Sequence, residues 1–384
     1  MVLMKPAASL FLLLFLSVDV WAQDAPARKW WHRFHPDSLL KRDVKFIPIP
    51  VIQSSPETGL KGGLAIDYFF NTGSSDSTRP TRDSYAWVQA LYSTRRQLIL
   101  EPFWQIYTRD ERYFLRGRGG YLDFSEYVWG VGQETVDKKA YDNVLYNRIY
   151  LQTKVLRKLY GRTFLGVNYN YSDTRNIRFP AGSDILPTLQ SGTGDTPGLT
   201  QSRVSGLGPN IVFDYRNNAF SPTQGWYGEY AVHFYTDELG SGHRYTEHQL
   251  DVRKYFPWRG RNLLGFQAVA HLNEGAVPLR ELPRLGGPFI MRGMISGRYR
   301  DRQMVAAQAE YRRAFNRFLG GAVFGAVGGV APTLAGLADA KAQVTGGAGL
   351  RLLLNRKKNL YARVDLATSS DRNLAVYFRV MDAF

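Results

Sequence analysis

From about Val44 onward the chain breaks into segments of roughly ten residues in which apolar and polar side chains alternate, with turn residues between them. A period of two belongs to strands whose two faces meet different surroundings. In "YNRIYLQTKVL", Ile149, Leu151, Thr153 and Val155 share one side, and Arg148, Tyr150, Gln152 and Lys154 the other. In "EHQLDVRKYF", Glu247, Gln249, Asp251 and Arg253 oppose Leu250 and Val252, and "LYARVDLA" sets Leu360, Ala362, Val364 and Leu366 against Arg363 and Asp365. About sixteen such segments run from 44–55 to 374–384. An even number lets an antiparallel barrel close with both ends on one side. Connections near 131–145, 178–200 and 276–302 are long, whereas "YGR" and "WRGR" are tight. The long ones fall on one parity, as extracellular loops do, apart from "NTGSSDSTRPTRD" after the second segment.

The pattern therefore predicts an all-β fold, a transmembrane antiparallel β-barrel of about sixteen strands over residues 44–384, with its apolar face on lipid and its charged face around a wet lumen. One stretch competes with this. Residues 318–338, "FLGGAVFGAVGGVAPTLAGLA", carry no charge and place Gly321 and Gly325 at a helix-pairing spacing. Their glycine content and Pro332 favour the two halves of a hairpin.

Composition changes the picture in three ways. Residues 1–22 run from "MVLMK" through "SLFLLLFLSV" to "VWA", the order of a secretory signal, which leaves 23–43 as a short periplasmic segment. There is no cysteine, which excludes disulfides, thiolate chemistry and Cys-ligated metal. The formal charge of +16 is spread along the chain, which points to membrane lipids and anionic glycolipid as neighbours and away from nucleic acid. The final segment, "LAVYFRVMDAF", places Val376, Phe378 and Phe384 on one apolar face suited to barrel closure, because an open edge in lipid leaves backbone groups unsatisfied.

A series of landmarks runs through the chain: "FIPIPVIQSSPETGLKGG"; "FDYRNNAFSPTQGWYGEY", with Asp214, Arg216, Pro222 and Gly225 in a D-x-R…P-x-x-G turn; then "GGPFIMRGM", "MVAAQAEYRRAF", "GGAVFGAVGGV" and "LYARVDLATSS". In this order they resemble the BamA/TamA-type outer-membrane assembly barrels, the bacterial surface antigen family. The resemblance implies that the loop after the eleventh strand folds back into the lumen and that its Arg-Gly pair, here Arg292 and Gly293 behind Gly286 and Gly287, meets acidic side chains on the inner wall. Parity supplies one partner, since Glu310 shares the lumenal side of its segment with Met304, Ala306 and Gln308. The family's V-D-x-G on strand 13 reads "VFGAVGG" here, so its aspartate is missing and a single-partner lock is expected. The family's periplasmic POTRA domains have no counterpart in the roughly twenty residues 23–43, where Trp30 and Trp31 suit a membrane interface.

The function implied is insertion or organisation of outer-membrane components, with outer-membrane proteins as clients or assembly partners. The working part would be a weak seam between the first and last strands, near Phe46–Ser54 and Leu374–Phe384. The alternative is an anion-favouring channel lined by Arg148, Lys154, Arg253, Arg363 and Arg379, with the 276–302 loop as its plug. Catalysis, metal and cofactor are not expected. The six histidines fall in no G-x-S-x-G, H-E-x-x-H or P-loop context, and Ser241, His243 and Asp237 are merely close in sequence.

Overall fold

A computed structural model describes residues 45–55, 59–76, 78, 80–132, 140–191, 196–356 and 359–384. The expected signal at 1–22 and the segment 23–43 lie outside the described residues. Sixteen strands form one antiparallel sheet in chain order. They are β1 (Phe46–Ser55), β2 (Gly59–Phe70), β3 (Ser84–Ser93), β4 (Leu98–Tyr107), β5 (Tyr113–Val128), β6 (Asp142–Tyr160), β7 (Thr163–Arg178), β8 (Ser202–Asp214), β9 (Gly225–Tyr235), β10 (Tyr245–Trp258), β11 (Asn262–Gly275), β12 (Gln303–Ala314), β13 (Leu319–Ala331), β14 (Gln343–Asn355), β15 (Leu360–Ser369) and β16 (Leu374–Val380). Among the described residues one α-helix, α1 (Ile185–Ser191), sits in the connection after β7. The end strands β1 and β16 come into contact.

The period-two reading gives the faces. Ile149, Leu151 and Val155 are exposed outward, as are Leu250, Val252, Val364 and Leu366, while Tyr150, Arg363 and Asp365 are buried inside. Outward apolar exposure on strand after strand is what a lipid-facing wall requires, and neighbouring strands take up each other's backbone groups along the sheet. Of the 318–338 stretch, Leu319–Ala331 is the single strand β13 of this wall and the rest belongs to its connection to β14, with a 3-10 turn at Ala335–Leu337, so the expected two halves of a hairpin are corrected to one strand and a loop. Val323 and Val327 are exposed while Ala322, Phe324 and Ala326 are buried, and β13 pairs with β12 over Gly320–Ala331 and with β14 over Leu319–Gly328.

Two local departures from simple alternation occur at the mouth where β1 begins and β16 ends. A register shift between Leu353 and Asn355 accompanies the entry to β15, and there Leu360 turns inward to 1% exposure instead of joining Val364 on lipid. The last strand stops at Val380. Val376 and Phe378 face outward, but Phe384 packs inside with Tyr255 and Leu263 of β10 and β11, so the expected single face through Phe384 is interrupted after Val380.

The lumen is filled from the other mouth. Val277, Leu279 and Leu282 of the 276–302 connection join inward residues of β5, β6 and β8–β10, and Leu285, Met291 and Met294 join those of β12 and β13. The long β11–β12 loop is thus an internal element with its own apolar anchorage.

Candidate functional site

The inner wall of β12–β15 and the tip of the internal loop meet in a buried ionic network. Arg292 is fully buried. Its Nη2 lies 2.6 Å from Glu310 Oε2 and its Nη1 lies 2.8 Å from Asp365 Oδ2. The guanidinium carbon stands 3.4 Å from the centroid of the Phe324 ring, a cation–π contact in a desolvated site. Phe324 occupies the strand-13 position where the resembling family has its aspartate, and Asp365 on β15 supplies a second carboxylate. The expected single-partner arrangement is therefore corrected to a two-carboxylate one.

Further arginines complete the network. Arg312 reaches Glu310 at 2.6 Å and Asp382 at 2.9 Å. Arg351 reaches Asp365 at 2.6 Å, Asp382 at 3.2 Å and Glu310 at 3.4 Å, and Arg363 reaches Asp365 at 2.6 Å. Four guanidinium groups thus face three carboxylates. Such charge-assisted forks are strong and directional, and they fix where the loop tip sits.

Local backbone chemistry sets the loop's path. Gly293 has φ 102°, and a β-carbon there would lie 2.6 Å from Thr368 O, so only glycine lets the loop press against β15. Its N–H donates to Tyr377 Oη at 3.1 Å, and its carbonyl accepts from Asn373 Nδ2 at 2.9 Å. Gly286 at φ 98° approaches Met294 O nearly as closely, and Gly287 has φ 124°.

The loop has a second anchor that sequence reasoning did not single out. Arg280, Arg284 and Arg300 converge on Glu126 of β5 at 2.8, 3.2 and 3.0 Å, with Arg280 stacked 3.6 Å from the Tyr146 ring centroid. Arg298 pairs with Asp371 at 2.8 Å, and Glu281 takes Arg148 of β6 at 3.0 Å.

The D-x-R turn lies at the opposite mouth. Arg216 Nε meets Asp214 Oδ1 at 2.8 Å, and Arg82 from the β2–β3 connection meets Asp214 Oδ2 at 2.8 Å. Gly225 has φ 102°, and a β-carbon there would lie only 2.1 Å from Tyr215 O. The Pro222 carbonyl accepts from Arg312 Nη1 at 3.4 Å.

Most of the lumenal cations expected to line a channel carry carboxylate partners. Lys154 pairs with Glu229, Arg253 with Asp251, Arg363 with Asp365 and Arg148 with Glu281, while Arg379 lies over the Phe289 ring at 4.9 Å. Ser241 Oγ donates to the His243 backbone carbonyl at 2.7 Å and Asp237 is held by Arg244, so these three are not arranged as a triad. Among the described residues no group of three or more His, Cys, Asp or Glu side chains could hold a metal ion.

The Omp85 superfamily domain matches residues 67–357 of the chain. No curated protein matches the sequence significantly. In fold the chain is similar to BamA from Haemophilus ducreyi lacking POTRA domains 1–3, with a TM-score of 0.53 at 12% identity over 88% of this chain and 70% of that one. It is also similar to CdiB from Escherichia coli, with a TM-score of 0.55 at 10% identity over 87% of this chain and 61% of that one.

Proposed function

The chain belongs to the Omp85 superfamily, and from that premise we propose that it inserts or organises other components of the outer membrane through the seam between β1 and β16. It is an outer-membrane β-barrel with a role in outer-membrane assembly or transport.

The observation that carries the proposal is the edge chemistry of β1. Phe69 N donates to Lys45 O at 2.7 Å, and the two are in register, so Lys45 and every second residue after it bond to β2. Phe46, Pro48 and Pro50 have the other parity, and their nitrogens point towards the seam. Proline has no N–H to give, so two donors are missing from the edge that β16 would use. β16 itself is only seven residues long, shorter than any other strand. A short strand opposite a donor-poor edge can be exchanged for a client strand at little cost, which is β-augmentation. In this reading the Arg292 network holds the internal loop as a rigid back wall while the seam works.

The channel reading finds less support, since the lumenal cations are largely neutralised by carboxylates and the loop fills one mouth. The test exploits the absence of native cysteine. Cysteines introduced on facing positions of β1 and β16 are oxidised in cells, and incorporation of outer-membrane proteins and lipid is followed before and after reduction. Locking is expected to abolish the protein's phenotype and reduction to restore it. An unchanged phenotype in fully cross-linked cells would sink the seam mechanism.

A further inference from the structure

β8 and β9 stand midway in the strand order, as far round the sheet as possible from its two ends. Their connection, residues 215–224, nevertheless reaches across the mouth to both sides of the seam. On the β1 side, the Phe220 ring packs edge-on against Phe69 of β2 at 5.5 Å between centroids and against Tyr85 of β3 at 5.2 Å. On the β16 side, the same residue shares a buried cluster with Leu360 of β15, and Val380 and Met381 pack against that cluster. The Phe220 carbonyl accepts from Asp382 N at 3.4 Å, and the Ser221 carbonyl accepts from Asn359 Nδ2 at 2.7 Å.

The connection is built to hold this reach. Asn217 Oδ1 accepts from Thr223 N and Gln224 N, and Asn218 Oδ1 accepts from Phe220 N and Ser221 N, which folds the tip without help from the wall. The Asp214–Arg216 pair and Arg82 clamp its base. A residue that merely filled the mouth would need one wall. Phe220 is 5% exposed because it touches two walls that belong to opposite flanks of one seam. Leu360 turns inward to meet it, against the alternation of its own strand.

We propose that residues 215–224 are a strap across the seam, with Phe220 as its latch, and that the flanks carrying β1 and β16 separate only after Phe220 has left one of them. The strap also touches the loop network, because Asp382 is shared between Arg312 and Arg351, which hold Glu310 beside Arg292. Its use in assembly rests on the seam reading above, but the bridging does not.

Pulsed electron paramagnetic resonance tests the bridging. Spin labels replace outward Leu64 on β2 and Phe378 on β16, in the full chain reconstituted into phosphatidylethanolamine–phosphatidylglycerol nanodiscs with no client present. The parent should give one narrow distance distribution. Phe220→Ala should raise the fraction of long distances about tenfold, from the loss of two aromatic contacts and their packing. Phe220→Leu should give a smaller rise, and Asn359→Ala should shift the distribution in the same direction. A distribution unchanged from the parent in folded Phe220→Ala overturns the strap. If that variant does not fold, unchanged distributions in both milder variants overturn it. The measurement is independent of the cellular disulfide lock, so a failed lock with a responsive Phe220 would remove the seam mechanism and leave the strap.

Discussion

The charge balance of the Arg292 network makes an unusual prediction: removing the arginine should be milder than removing the carboxylate it binds. Arg292→Met deletes two charge-assisted hydrogen bonds, yet Glu310 keeps Arg312 and Arg351, and Asp365 keeps Arg351 and Arg363. Because the network then holds three guanidinium groups and three carboxylates, the expected cost is about 3 kcal/mol, the lower end of what two bonds to charged groups contribute. Glu310→Gln leaves four guanidinium groups against two carboxylates in a site where Arg292 and Glu310 are both fully shielded, and should cost about 3–5 kcal/mol. The double variant returns to the parent's excess of one positive charge, so its cost should fall short of the sum by about 1–2 kcal/mol. Urea unfolding in phospholipid vesicles, followed by tryptophan fluorescence, measures all four corners of the cycle. Strict additivity, or a single Arg292→Met loss as large as that of Glu310→Gln, would refute a network governed by its charge count.

Three further outcomes follow from geometry at single positions. Gly349→Ala would drive a β-carbon to 2.1 Å from Asp365 Oδ1 and 2.6 Å from Val364 O, and should cost about 1–3 kcal/mol in the same unfolding assay. Gly325→Ala meets only Thr345 O at 3.7 Å on the outer face and should stay within about 0.5 kcal/mol of the parent. At the strap's mouth, burial raises the Glu111 carboxyl pKa, but its bonds to Arg82 outweigh this and hold it below the ordinary value of 4.5. A depressed carboxylate pKa stabilises the fold above that value and loses its contribution as pH falls through the folded-state pKa. Glu111→Gln should therefore flatten the acid limb of stability below pH 4.5 while lowering stability at neutral pH, and an acid limb identical to the parent's would contradict the assignment. In planar bilayers the parent should conduct weakly, and excision of 287–295 should raise conductance several-fold. High, steady anion-selective conductance from the intact chain would instead favour the channel.

What could be read from the sequence divides along a physical line. A strand's faces are local: alternation alone places Ile149, Val252 and Val364 outward and Asp365 inward, because a pleat leaves a side chain only two directions. The same parity puts Glu310 on the inner wall, where a loop arginine could meet it. Whatever crosses the lumen is not legible, since no periodicity records which element bridges to which wall. Asp365 lies 73 positions from Arg292 and Glu126 174 from Arg300, and the charged face of "LYARVDLA" gives no hint of either partner's origin. Leu360 and Phe384 escape a sequence reading for the same reason, as Leu360 breaks its strand's alternation and Phe384 lies beyond the end of β16, each to serve a contact made across the mouth.

Those two exceptions bear on how the molecule could work. Both lie at the end of the barrel where β1 begins, and both turn apolar side chains away from lipid and into the lumen. Leu360 does so under Phe220, and Phe384 does so beyond Asp382, whose carboxylate is held by Arg312 and Arg351. The residues following β16 are thus tied inward to the wall formed by β10–β12 and β14, while β16 itself offers only seven residues to its neighbours. Anchoring beyond Val380 pins that end of the β16 edge, so separation from β1 is easier at the Leu374 end. The direction of opening should therefore run from Leu374 towards Val380, so a label at Leu374 should gain mobility before one at Val380 as urea is raised. The reverse order would mean that the inward tail does not anchor the seam.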